Sequence, residues 1–297
     1  MYLITRGDWD GLVCAVLLSA VENVERIEFA HPKAMQDGNV PVRPDAIIAN
    51  LPYHPNCALW FDHHISEEEK AQHIGAFKGK FGLAPSAARL IYEYYADPRL
   101  DRYLPLLEAA DQYDSAQLKM RDVLIPEGYI QIAFTIDPRT SLSDVDYPQY
   151  FLHVWKRLQN ATLEQVLADP VVAQMVERVK RDDLAFEEIL FAHTRVEGNL
   201  AITDFRGLDK IPTGNRFLVH AHYPETNVAA RIFTGKEGRV VLALGHSIFK
   251  RDCRTNVGEL LARYGGGGHR GAGTAQFRPE EAGAKIQEIL ETVKANG

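Results

Sequence analysis

Apolar positions along this 297-residue chain follow two rhythms, short β-prone runs and longer stretches with helical spacing, and their alternation changes near residue 195. Tyr2-Leu3-Ile4-Thr5 is a β-prone run that ends at the acidic turn Arg6-Gly7-Asp8-Trp9-Asp10-Gly11. Residues 12–20 are small and apolar throughout, which suits a buried helix packed on a sheet. Strand, acidic turn and buried helix form the opening of an α/β unit. Residues 26–30, 45–51 and 57–61 predict further strands, and the spacing over 82–95 and 101–113 predicts two helices, the first with Pro85 in its first turn. From about 120 to 194 the chain reads as a helical insert or connector. It holds the run Ile130-Gln131-Ile132-Ala133-Phe134 and helical patterns over 148–158 and 170–191. Beyond Val196 the period shortens: 198–205, 216–221, 228–233 and 239–244 read as strands, followed by helices over 257–264 and about 280–294. The predicted architecture is α/β in two parts, a parallel-sheet domain with its helical connector over 1–194 and a smaller α/β domain with a largely antiparallel sheet over 195–297.

Composition narrows the functions this frame can carry. The length suits about two domains, and 46% hydrophobic with 25% charged residues is the ordinary balance of a globular protein. With 33 Lys and Arg against 40 Asp and Glu the net charge is -7, which argues against a broad grip on a long nucleic acid but leaves room for a local basic pocket. Cys14, Cys57 and Cys253 are odd in number and widely spaced, so they predict neither a disulfide framework nor a thiolate metal site, and a reducing cytoplasm is the expected location. No run reaches membrane-spanning length without charge, and no membrane partner is expected.

Three stretches carry candidate chemistry. Asp62-His63-His64 follows the apolar run Ala58-Leu59-Trp60-Phe61 and places an acid and two imidazoles at a strand end, an arrangement that costs stability unless something binds there. Asp8 and Asp10 stand at alternate positions after the first strand. They either point into a crevice beyond its carboxyl end or cap the next helix. Asn50 ends the third predicted strand, and Asp111 lies near the end of the helix over 101–113. In the second part, Gly265-Gly266-Gly267-Gly268-His269-Arg270-Gly271-Ala272-Gly273 lacks the Lys-Ser/Thr ending of a P-loop. The strip is either a flexible loop or a place where backbone N–H groups, His269 and Arg270 meet an anion. Ser247, Lys250, Arg251 and Arg254 precede it, as a solvated turn or as part of the same anion pocket.

This combination resembles the DHH/DHHA1 phosphoesterase superfamily, whose members include RecJ-type exonucleases, oligoribonucleases and exopolyphosphatase-related enzymes. The resemblance covers nearly the whole chain. It implies an N-terminal parallel-sheet DHH domain that holds Mn²⁺ or Mg²⁺ and a smaller C-terminal DHHA1 domain that binds substrate. By position, Asp8, Asp10, His63 and Asp111 match metal ligands, and His64, Asp62 and Arg6 take catalytic roles. Gly266, Gly267, Gly268, His269 and Arg270, with Arg251, match substrate-binding positions. Two positions depart from the pattern: Arg6 stands where the first motif has a metal-binding His, and Asn50 where a bridging Asp is usual. A neutral amide and a fixed cation disfavour a pair of dications, so one ion is expected rather than two. The implied activity is metal-dependent hydrolysis of a short oligonucleotide or small nucleotide phosphate. The rival expectation is a catalytically impaired nucleotide- or phosphate-binding protein of the same fold. An exposed edge in either sheet leaves a homodimer open.

Overall fold

The computed structural model describes residues 1–137, 145–211 and 213–296. Its packing divides them into two units, one of residues 1–117 with 126–178 and one of residues 118–125 with 179–297. The expected change of pattern near 195 marks the start of the second sheet, whereas the change of packing unit falls inside a long helix that begins before it.

The first unit is built on five parallel strands, β1 (Tyr2–Thr5), β2 (Arg26–Phe29), β3 (Ala46–Ala49), β4 (Leu59–Asp62) and β5 (Gly79–Phe81), in the order β2-β1-β3-β4-β5. Every residue of β1, β3 and β4 is buried, which explains why these strands read as unbroken apolar runs rather than as alternating ones. On one face Tyr2, Ile4, Ala46, Ile48 and Trp60 pack with Met35, Val42 and Leu51, and the Trp60 ring stacks on Phe81 at 5.1 Å. The opposite face carries α1 (Trp9–Val21), which is buried from Trp9 to Leu18 and therefore shows no polar stripe. The helices that follow are α2 (Pro32–Gln36), α3 (Glu68–Ala71), α4 (Ala87–Tyr95), α5 (Leu104–Asp114), α6 (Met120–Leu124), α7 (Gly128–Thr135), α8 (Tyr147–Asn160), α9 (Leu163–Leu167) and α10 (Pro170–His193). Of these, α4, α5 and α8 pack on α1. The run 130–134 lies within α7. Pro85 precedes the N-cap Ser86 instead of entering the first turn of α4.

The strand order reverses direction between β1 and β3, and at such a switch point the loops beyond the carboxyl ends part to leave a crevice. Arg6, Asn50 and His63, which follow β1, β3 and β4, therefore emerge at one edge. The Thr5 hydroxyl donates to the Ala49 carbonyl across the first two of these strands at 2.9 Å.

The second unit holds β6 (Thr194–Glu197), β7 (Leu200–Asp204), β8 (Val228–Thr234), β9 (Val240–His246), β10 (Gly267–His269) and β11 (Ala272–Phe277), with α11 (Leu218–His222), α12 (Val257–Ala262) and α13 (Pro279–Ala295). The sheet order is β10-β11-β9-β8-β7-β6, antiparallel except for the β7–β8 pair. Alternate residues of β8 and β9 pack with α12 and α13 in one core that includes Ile232, Leu242, Leu261, Ile286 and Ile289. The strand expected over 216–221 is instead the helix α11. Asn215 starts it, its side-chain oxygen accepting from the Phe217 N–H at 3.0 Å and its carbonyl from the Leu218 N–H at 3.1 Å. A short apolar run carries no period long enough to tell strand from helix, and this Asn-centred turn decides the outcome. Among the described residues no helix is long and apolar enough to cross a membrane.

Gly11 sets the entry to α1. A Cβ built there would lie 2.0 Å from the Arg6 carbonyl oxygen, in the turn that carries the acids, and 2.8 Å from Thr5 Oγ1 at the end of β1. Gly11→Ala is expected to destabilise the protein by roughly 3 kcal/mol, the upper part of the overpacking range. Gly82→Ala, which meets nothing within 4 Å, should shift stability by about 0.5 kcal/mol or less. Urea denaturation of the two variants checks the contrast.

Candidate active site

Asp10 lies in the first turn of α1 and is buried, yet its carboxylate is fully engaged. Oδ2 accepts from the Ala87 N–H at 2.9 Å and Oδ1 from the Ala88 N–H at 3.0 Å, so the free amides at the start of α4 hold both oxygens. The same segment fixes His63. Its Nδ1 donates to the Ala84 carbonyl at 2.9 Å, which leaves Nε2 with the lone pair. Nε2 is buried and lies 3.1 Å from Asp114 Oδ2 and 3.6 Å from Asp10 Oδ2, but makes no hydrogen bond with either. Asp10, His63 and Asp114 thus present one nitrogen and two carboxylates whose ligand atoms lie within 4.8 Å of one another. An orphaned imidazole nitrogen between two acids fits a divalent cation that accepts mixed nitrogen and oxygen ligands.

Without a cation, protons answer the same electrostatics. Burial works against a charged His63, but Asp114 and Asp10 outweigh it and push its pKa up to about 10. Burial first and Asp114 second raise Asp10 to about 7.

The structure brings Asp8 to this edge but gives its carboxylate other partners. Asp8 caps α1 through the Gly11 N–H at 3.0 Å, accepts from Asn50 Nδ2 at 2.9 Å and pairs with Arg6 Nε at 3.0 Å. Burial raises its pKa and Arg6 partly offsets the rise. The two acids thus differ: Asp8 caps α1, whereas Asp10 reaches across to the start of α4. Asn50 adopts a left-handed backbone conformation, φ 59°, at the end of β3, which an Asn tolerates better than most residues. The two positions that depart from the family pattern therefore meet on one carboxylate.

His64 is partly exposed, with Nδ1 2.7 Å from the buried Asp62 carboxylate. Burial lowers its affinity for a proton, and Asp62 outweighs that effect to raise it. Asp62 Oδ1 also accepts from the His63 N–H at 3.0 Å.

Asp111 stands apart from this cluster. One oxygen accepts from Ser86 Oγ at 2.6 Å, and the other takes the Arg89 guanidinium through Nε at 2.8 Å and through the terminal NH2 group. Asp114, one turn further along α5, takes the place beside His63 expected for Asp111. Asp111 instead supports Ser86, whose hydroxyl caps α4 by accepting from the Arg89 N–H at 3.0 Å. The signal missed in the sequence is the Asp111/Asp114 spacing of three, which puts both acids on one helical face.

In the second unit Gly267, Gly268 and His269 form β10 and pair with Thr274, Gly273 and Ala272. Close packing accounts for two of the glycines. A Cβ on Gly266 would lie 2.3 Å from the Thr274 carbonyl oxygen, and Gly268 has φ +154° with the Ala272 carbonyl oxygen 2.2 Å from its built Cβ. His269 and Arg270 are exposed at the turn between the strands. Arg251 lies before α12 and donates from Nε to the Ile248 carbonyl at 3.0 Å.

The fold and the acid-imidazole edge together define the DHH phosphoesterase superfamily, and the chain belongs to it. It is 36% identical to the pGpG-specific phosphodiesterase PggH from Vibrio cholerae over 100% of both chains, with a TM-score of 0.89. The DHH domain of a member of a family of ribosomal proteins matches 99% of this chain and 86% of its own at 14% identity and a TM-score of 0.66. RecJ from Thermus thermophilus, solved with Mn²⁺, matches 98% of this chain but 52% of its own at 12% identity and a TM-score of 0.56. The sequence matches no protein-family model and no curated protein.

Because protons compete with a cation for Asp10 and for His63 Nε2, Mn²⁺ binding should strengthen as pH rises. The affinity at pH 8 is expected to exceed that at pH 6 by about tenfold or more. Calorimetric titrations in buffers of different ionisation enthalpy should register proton release. A pH-independent affinity would contradict this electrostatic account.

Proposed function

We propose that the chain is a divalent-metal-dependent phosphodiesterase that hydrolyses a short oligonucleotide, of the pGpG dinucleotide kind, with one bound ion. The observation that carries this reading is His63 Nε2, buried without a hydrogen bond between Asp10 and Asp114. The full-length likeness to a pGpG-specific phosphodiesterase supports the substrate class, and RecJ, a relative in fold, supports Mn²⁺ as the ion to try first.

Asp10, His63 and Asp114 would hold the cation. When bound, a divalent ion lowers the pKa of water and polarises a phosphoryl oxygen. Arg6 keeps its Nε on Asp8, and among the described residues its terminal NH2 groups have no partner, so they donate to a non-bridging phosphate oxygen. Its fixed positive charge serves where related sites hold a second cation. His64, whose affinity for a proton Asp62 raises, would give its proton to the leaving oxygen as the phosphorus–oxygen bond breaks, while a water that releases one proton to solvent supplies the hydroxide that bonds to phosphorus.

Purified protein with Mn²⁺ is expected to cleave pGpG to two mononucleotides. His64→Ala should lower kcat by about 10²–10⁴-fold, the range for loss of a positioned acid. Asp114→Ala should remove both tight Mn²⁺ binding and activity. No turnover above the Asp114→Ala control on pGpG and other di- and trinucleotides would sink the reading.

The one-ion account has a separate check in metal content. The wild-type protein should bind one Mn²⁺ per chain, whereas the double variant Arg6→His/Asn50→Asp, which restores the family's ligand types, should bind two. Two ions in the wild type would overturn it.

A further inference from the structure

The sheet of the second unit, in the order β10-β11-β9-β8-β7-β6, leaves β6 at one edge with no strand beyond it among the described residues. β6 joins β7 through the two-residue turn Gly198-Asn199, with Glu197 opposite Leu200 and Gly198 at φ 61°. A Gly in that conformation at the first turn position fits a type II′ hairpin, whose closing residues exchange both backbone hydrogen bonds. Glu197 and, two residues back, Arg195 therefore direct their backbone groups to β7, whereas Val196 and Thr194 turn theirs outward. Val196 is also 40% exposed.

The charges on β6 select what can lie along it. Arg195 and Glu197 share one face of the strand, with Arg195 Nε 2.7 Å from Glu197 Oε1, and Lys294 of α13 reaches Glu197 Oε2 at 2.6 Å. Charges on an edge strand usually keep other strands away. Here the two signs stand two residues apart, so attraction or repulsion depends on register. An antiparallel copy of β6 centred on Val196 sets Arg195 against Glu197 of that copy, and Glu197 against its Arg195. The two Val196 residues then exchange N–H···O bonds across a twofold axis, and both Arg–Glu pairs fall at non-hydrogen-bonded positions, where side chains stand closest. A slip by two residues sets Arg195 against Arg195 or Glu197 against Glu197, and like charges directly opposite are destabilising. A slip by one brings outward-facing backbone groups against inward-facing ones.

We propose that β6 is a self-association edge, along which a second copy of this chain adds its own β6 antiparallel about Val196 and joins the two sheets into one. The partner is a second copy because the strand is complementary to itself in a single register. A strand carrying one sign of charge would meet one attraction and one repulsion. Lys294 holds Glu197 from within its own chain, which leaves Arg195 to turn to the Glu197 of the copy. Four residues a side make a small interface, so exchange between monomer and dimer is expected in the micromolar range. The edge uses none of Asp10, His63 and Asp114 and does not depend on the function proposed for them.

Sedimentation velocity of the full chain across the micromolar range is expected to show a dimer that grows with concentration. Arg195→Glu and, separately, Glu197→Arg each set like charges opposite at both pairs and should raise the dimer dissociation constant by about tenfold or more. Mixing the two variants in equal amounts should restore association, because the introduced acid of one faces the introduced base of the other while the native pair is kept. A folding defect cannot produce that rescue. Arg26→Glu, on the edge strand β2 of the first sheet, where Arg26 pairs with Glu28 at the same spacing, should leave the dimer as in the wild type. A wild-type chain that stays monomeric over this range overturns the proposal. So do single charge variants that dimerise like the wild type, a mixture that associates no better than its components, or a dimer lost on Arg26→Glu.

Discussion

Two backbone amides, those of Ala87 and Ala88, hold the Asp10 carboxylate, and the site in the first unit depends on that grip. A buried carboxylate is unstable as an anion unless donors replace its water, and the start of a helix offers donors with no partners of their own. Asp10 thus ties the beginning of α1 to the beginning of α4. The tie is reinforced from behind, because Asp111 receives Ser86 and Arg89, and Ser86 caps the same helix. The carbonyl of Ala84, just before that cap, fixes the tautomer of His63. One short stretch, 84–88, therefore orients two of the three groups in the cluster, and Asp111 acts on them only through it.

The neighbouring carboxylate, Asp8, has the opposite fate. Asn50 and Arg6 satisfy it without any ion, and the guanidinium supplies a charge that needs no loading and does not vary with metal supply. An arginine also holds its charge over the whole physiological pH range, unlike a metal bound through titrating ligands. The exchange has a chemical limit. A guanidinium donates hydrogen bonds and spreads one positive charge, but it cannot bridge two oxygens as a dication does, nor lower the pKa of water. Under the function proposed above, Asp10, His63 and Asp114 with an ion and Arg6 without one would divide between them duties that a metal pair shares.

How far the chain disclosed this in advance follows from where each constraint lies. Asp62-His63-His64 was readable because a polar triplet directly after a buried run is a local feature, and the strand order then carries it to the switch-point edge. Asp8 and Asp10 were readable as alternatives, capping or crevice, but the donors that separate them lie in α4, 77 and 78 residues from Asp10. Asp111 and Asp114 differ by one turn, and only the pairing of Asp111 with Arg89, 22 residues away, tells which of them is free to face His63. The segment 216–221 failed for a related reason: a few apolar residues fit either period, and the turn at Asn215, held by Asp183 on α10 at 2.7 Å, makes the choice.

The glycine strip sharpens the same distinction between local and tertiary information. Its composition left a flexible loop and an anion-binding backbone open, whereas in the structure Gly266 and Gly268 press against the backbone of β11. The helix α12 leans on the strip as well, for a Cβ on Gly258 would lie 2.6 Å from the Gly268 carbonyl oxygen. These demands come from a β-hairpin packed under a helix. Ladder pairing with β11 on one side engages part of the backbone of Gly267 to His269, and β10 is the edge strand of its sheet. His269 and Arg270 stand exposed at the turn of that hairpin. Side chains with fixed donors and acceptors discriminate among ligands of equal charge, which a cradle of backbone amides does not.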